Sequence, residues 1–132
     1  MQSILDLLYG AKKPVILADA CSIRHHAVKE THELMETLGI PGFVTPMGKG
    51  AIDETNPYFG GVYIGEISLP NVRKTVEESD CVLSIGALLS DFNTVRVSGF
   101  QTNNRVLSVI ISESHEPLNF THHGQRYATK NV

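Results

Sequence analysis

The stretch Pro14-Val-Ile-Leu-Ala-Asp-Ala-Cys21 decides how this chain is read. Its first five residues form an unbroken apolar run, the pattern of a strand buried on both faces. Asp19 to Arg24 leaves that strand, and an amphipathic helix is predicted over Arg24–Leu38. Within it Ala27, Val28, Thr31, Leu34, Met35 and Leu38 recur at steps of three and four. Lys29, Glu30, Glu33 and Glu36 fall mostly on the opposite face, and Gly39 supplies the stop. The spacing predicts that Val28, Leu34, Met35 and Leu38 pack against a sheet. Strand, turn and helix together make the opening of a βαβ unit.

Working outward, Ser3-Ile-Leu-Asp-Leu-Leu-Tyr9 reads as a short helix with Ser3 as N-cap and Gly10 as its stop. Gly42–Thr45 reads as a second strand between Pro41 and Pro46. Residues 46–63 are loop-rich, with Gly48, Gly50, Pro57, Gly60 and Gly61. Pro70–Ser79 reads as a helix with proline in its first turn and Val72 and Val76 on one face. Cys81–Ile85 and Arg105–Ile111 are two further apolar strands. Strands alternating with helices imply an α/β fold: a doubly wound, mostly parallel sheet with helices on both faces. Residues 112–132 differ in kind. They hold His115, His122, His123, Asn119 and Asn131 with few aliphatic residues, and are expected to be loop or poorly ordered tail.

The chain has 132 residues, 42% of them hydrophobic, which suits one domain and not two. Its 14 acidic and 11 basic residues give a net charge of −3, and no basic run exceeds Lys12-Lys13. That weighs against a nucleic-acid partner. No apolar stretch approaches the ~20 residues of a membrane span, and Met1 to Leu8 lacks the features of a signal peptide. Two cysteines, Cys21 and Cys81, make no disulfide framework, so a reducing, cytoplasmic setting is expected.

In an open parallel sheet, ligands gather beyond the carboxyl ends of the strands. Three segments leave such ends here, and they predict that Asp19, Cys21, Lys49 and Asp91 share one rim. The turn after the first strand lacks the G-x-G-x-x-G of a dinucleotide site. Gly48-Lys49-Gly50 lacks the spacing of a phosphate loop and reads as a mobile turn. Cys21 has Arg24 and His25 within one turn and precedes a predicted helix, a setting that suits a reactive thiol. The alternative is a small buried residue at a strand-to-helix turn. Cys81 opens a buried strand and reads as structural. His25 and His32 are two helical turns apart, and His32-Glu33 lacks a second histidine at zinc spacing. No metal site stands out.

Four ordered segments resemble the central domain of fungal pyruvate decarboxylases, within the thiamine-diphosphate 2-oxo acid decarboxylases. They are Pro14–Cys21, Phe43-Val-Thr-Pro-Met-Gly-Lys-Gly-Ala-Ile-Asp53, Tyr58-Phe-Gly-Gly-Val-Tyr63 and Leu83-Ser-Ile-Gly-Ala-Leu-Leu-Ser-Asp-Phe-Asn-Thr94. The resemblance implies residues 1–111 as that domain, truncated at its C-terminal end, with 112–132 a divergent tail. It implies a full-length enzyme of three α/β domains that converts a 2-oxo acid to an aldehyde and carbon dioxide. The thiamine diphosphate and magnesium of that reaction belong to the other two domains, and neither is expected to bind this chain alone. Flavin-carrying relatives hold FAD in the corresponding domain, whereas decarboxylases of the pyruvate type do without it.

The expected role is therefore structural and regulatory, with no catalytic, cofactor or metal residue in this chain. Its expected partners are the other two domains, or full-length decarboxylase subunits, and a 2-oxo acid effector. Cys21 matches a family cysteine associated with substrate activation, and His25 matches a family histidine. Ser22 stands where the family usually has a second cysteine. Two other readings remain open at this stage. One is a stand-alone module binding a nucleotide or small acid at the strand-end rim. The other is an interaction protein that docks on full-length decarboxylase subunits.

Overall fold

Side chains leave a central strand alternately for two cores. A computed structural model describes residues 2–88, 105–110, 119–122 and 125–128. The helices are α1 (Gln2–Tyr9), α2 (Ala20–Arg24), α3 (Val28–Leu38) and α4 (Pro70–Glu77). The strands are β1 (Pro14–Ala18), β2 (Gly42–Val44), β3 (Phe59–Val62), β4 (Cys81–Ile85), β5 (Arg105–Ile110), β6 (Asn119–His122) and β7 (Gln125–Ala128). One sheet joins them in the order β3-β2-β1-β4-β5-β6-β7. The pairings from β3 to β5 are parallel, and β6 and β7 add antiparallel.

From β1, Ile16 and Ala18 enter a core with Leu8 of α1 and Met35 of α3. Val15 and Leu17 enter the other, with Val72 and Val76 of α4. The period-two pleat does this sorting, and it explains why β1 reads as apolar throughout. Helices cover both faces, as a doubly wound sheet requires. On the α4 side Tyr63 is buried with its hydroxyl 3.5 Å from Glu77 Oε1, and Arg73 Nε lies 3.0 Å from both oxygens of Glu77. Burial, reinforced by the Glu77 charge, pushes the Tyr63 hydroxyl up to about 12.

Several boundaries differ from the expectation, each for a physical reason. Ser3 lies inside α1 and is not its cap. The helix expected over residues 24–38 is two helices. The first begins at Ala20 and ends in a Schellman turn. His26 takes positive φ (56°), its N–H bonds Ile23 O, and the Ala27 N–H bonds Ser22 O at 2.8 Å. On α3, Thr31 and Met35 are buried, while Leu34 and Leu38 are half-buried against the core and Val28 is half-buried outside it.

The loop-rich segment conceals strand β3, which lies at the sheet edge. Its Gly60 lies where a side chain would run into the Phe43 ring, so glycine there reflects close packing. Residues 112–132, expected as loop or tail, contain β6 and β7, which extend the sheet antiparallel from β5. Their short polar sequences offer no alternating apolar face to announce a strand. Ile111, His115 and His123 lie outside the described residues.

Candidate functional site

Strand order reverses between β1 and β4, so the crevice beyond their carboxyl ends is the place where α/β sheets of this kind bind ligands. Asp19 sits in it. Its side chain is 4% exposed, and its Oδ1 accepts from Ala20 N at 2.7 Å and from the Thr45 hydroxyl. The other oxygen, Oδ2, accepts from Leu88 N at 2.8 Å. One carboxylate therefore joins the turns that follow β1, β2 and β4.

The surrounding backbone tightens the same knot. Asp19 N donates to Ile85 O, Cys21 N donates to Gly86 O, and Thr45 N donates to Ala18 O. Thr45 Oγ1 passes the network on by accepting from Gly48 N at 3.0 Å. A Cβ at Gly48 would stand 2.5 Å from Ala18 O, and one at Gly86 would collide with the backbone of Ser22. Ser22 is fully buried, and its hydroxyl donates to Asp19 O. In a dinucleotide domain, glycines leave room for a phosphate at the helix N-terminus. Here Asp19 brings an anion of the chain itself to that place, and the glycines let protein backbone close in.

The predicted rim is partly assembled. Asp19 and Cys21 share the first turn of α2, with Cys21 half-buried and Cys81 fully buried. Thus Cys21 lies within a helix and not ahead of one. His25, half-buried, forms the C-cap of α2 and its N–H bonds Cys21 O at 3.1 Å. Lys49 follows the tightly packed Gly48 but is itself exposed. Asp91 lies outside the described residues. Sequence reasoning missed Thr45 and Leu88 as partners that hold Asp19, and Gly48 and Gly86 as the close-packed positions around it. A buried strand followed at once by Asp and a short helical turn was the available signal for an N-cap.

Comparison with known proteins places this architecture. Residues 1–125 match the family described as thiamine pyrophosphate enzyme, central domain. The chain belongs to that family. The match continues past residue 111 and includes β6. The pyruvate decarboxylase of Kluyveromyces marxianus is 54% identical over 107 residues, covering 80% of this chain and 19% of that protein. That of Aspergillus terreus is 60% identical over 95 residues, 72% of this chain and 17% of that protein. Pyruvate decarboxylase isozyme 2 of Saccharomyces cerevisiae is 54% identical over 107 residues, 80% of this chain and 19% of that protein. The chain thus spans about one-fifth of the length of the curated relatives it matches.

The described residues do not fit a magnesium–diphosphate group. Asp19, the buried carboxylate of the crevice, is already committed to three protein donors. Among the described residues no group of three or more His, Cys, Asp or Glu stands together as a metal site, and none of their helices is long and apolar enough to cross a membrane.

Proposed function

We propose that this chain acts as the structural and regulatory middle domain of a pyruvate decarboxylase and does not decarboxylate 2-oxo acids alone. In the whole enzyme, thiamine diphosphate and magnesium would be held by the other two domains and supply the electron sink for loss of carbon dioxide. The partners of this chain are then those domains, or full-length decarboxylase subunits, and its setting is the cytoplasm. The observation that carries the reading is Asp19, which occupies the strand-end crevice with protein contacts. The same observation weighs against a stand-alone nucleotide- or small-acid-binding module.

The test is direct. The purified chain, supplied with pyruvate, thiamine diphosphate and magnesium and coupled to alcohol dehydrogenase, is expected to consume no NADH beyond a protein-free control. Acetaldehyde release above that control would overturn the proposal. Calorimetry is expected to show no saturable binding of thiamine diphosphate.

The regulatory part rests on Cys21, with a 2-oxo acid as effector. Its thiolate sulfur would add to the oxo carbon, the carbonyl π pair would pass to oxygen, and that oxygen would take a proton. No group leaves. Half-burial at the rim supports access, and the Cys21 N–H bond to Gly86 O couples the turn to β4. His25, one turn on, is the proposed proton donor. Such an effector would act through its differential affinity for two domain arrangements. Cys81, fully buried, is the internal control. Iodoacetamide at neutral pH is expected to label Cys21 well before Cys81, read by peptide mass spectrometry. Equal or reversed rates would leave Cys21 a packing residue.

A further inference from the structure

At the opposite end of the strands lies a cleft of about 560 Å³, within the size range of small-molecule sites. Its lining includes Val15 and Ile40, both buried residues, and Lys12, Lys13 and Lys74, all exposed. Glu78 is the acidic member of the lining. Among the described residues, the ion pairs of 4 Å or less are Lys29–Glu33 and Arg73–Glu77, so the three lysines of the cleft take part in none. The nearby Asp80 does not neutralise them by direct pairing. Its two carboxylate oxygens accept from the backbone N–H groups of Lys12 and Lys13, at 2.7 and 2.8 Å. That clamp fixes the chain entering β1 and leaves both lysine side chains for another acceptor.

We propose that this cleft binds a small organic anion, an apolar body carrying a phosphate or comparable multiply charged group. The lysines would meet the charge, while the apolar lining shared by β1 and the turn after α3 would meet the body. Three cations against Glu78 and the nearby Asp80 still leave a positive spot on a chain whose net charge is −3. Local charge of this kind concentrates anions in a concave site. The competing role for the lysines is to offset the negative carboxyl ends of α3 and α4, which also reach the cleft. The two roles part in experiment.

The full chain, labelled with ¹⁵N, would be titrated at constant ionic strength with 1-naphthyl phosphate, inorganic phosphate and 1-naphthol. The ester is expected to shift the amides of Val15, Gly39, Ile40 and Thr75 saturably, at least tenfold more tightly than either fragment. The double variant Lys12→Gln/Lys74→Gln is expected to weaken that binding at least tenfold while its spectrum elsewhere stays unchanged. Both substituted side chains are exposed, so the variant should fold. Ester and naphthol binding alike, an unaffected double variant, or shifts centred away from the cleft would each overturn the proposal. A lowered melting temperature with no saturable binding would assign the lysines to the helix ends alone, and would overturn it too.

Discussion

The two ends of one sheet have been finished in opposite ways. At the carboxyl ends of β1 and β4, where an α/β domain usually keeps a crevice, Asp19 ties three turns together and backbone fills the space. At the amino ends of β1 and β2, a cleft remains that is lined by residues from the end of α3 and from α4. The same strands support both ends, so the difference lies in the turns. A short polar side chain at a helix N-cap closes one end. An entry segment held by its backbone N–H groups, with its ammonium groups unpaired by carboxylates, keeps the other available. Fold alone therefore does not say where a ligand goes.

The largest effect should come from removing the knot at the closed end. Asp19→Ala strands three donors: Ala20 N, the Thr45 hydroxyl and Leu88 N. Each buried donor left without an acceptor costs about 1–3 kcal/mol, so the three together should cost at least about 3 kcal/mol. Urea unfolding followed by far-ultraviolet circular dichroism measures it. A loss below about 1 kcal/mol would mean that the turns close without this carboxylate.

Two left-handed glycines test the contrast more finely. Gly86 has φ of 66° at the closed end, and Gly39 has φ of 64° at the open end. Their backbone penalty on gaining a Cβ should be equal, about 1–2 kcal/mol. Their surroundings differ. A Cβ at Gly86 meets the backbone of Ser22 and Cys21, whereas one at Gly39 meets nothing within 4 Å. Gly86→Ala should therefore cost about 2–4 kcal/mol, since overpacking adds to the strain. Gly39→Ala should stay near the backbone penalty. Equal losses in thermal or urea unfolding would erase the distinction between a packed end and an open one.

This contrast also explains what could be read from the sequence. β1, β2 and β4 are legible because burial on both faces leaves a continuous hydrophobic run, and β5 is legible because Arg105–Ile110 is as apolar in sequence. β3 is not, because an edge strand packed against Phe43 is built from Gly60 and Gly61, and glycine also marks loops. The break between α2 and α3 is hidden because His26 supplies the left-handed turn usually made by glycine. β6 and β7 are hidden because Asn119–His122 and Gln125–Ala128 carry no apolar alternation. At the site, the rim could be located from strand ends alone. That Asp19 would be consumed there could not, since its partners Thr45 and Leu88 lie 26 and 69 residues away in sequence. The basic cleft was hidden for the same reason: Lys12-Lys13 and Lys74 meet only in three dimensions.

The smallest effect belongs to Asp53, the exposed counterpart of Asp19. Its Oδ1 accepts from Thr55 N at 2.8 Å and from the Thr55 hydroxyl at 2.7 Å, in water and not in a crevice. Those bonds, the backbone one first, hold its carboxyl below the usual value of 3.8, and His32 adds the weakest pull. Because the folded pKa lies below the unfolded one, the stabilisation is complete above the unfolded value and fades as pH falls through the folded value. Asp53→Asn should therefore lower stability slightly at neutral pH, with the gap to the parent narrowing below about pH 4. Full exposure screens the charge, so this gap should be far smaller than the Asp19→Ala loss. Urea midpoints from about pH 7 to about pH 2 on both proteins measure it. A gap that stays constant across that range would show that Asp53 contributes through its shape and not its charge, leaving Asp19 as the carboxylate whose burial sets its worth.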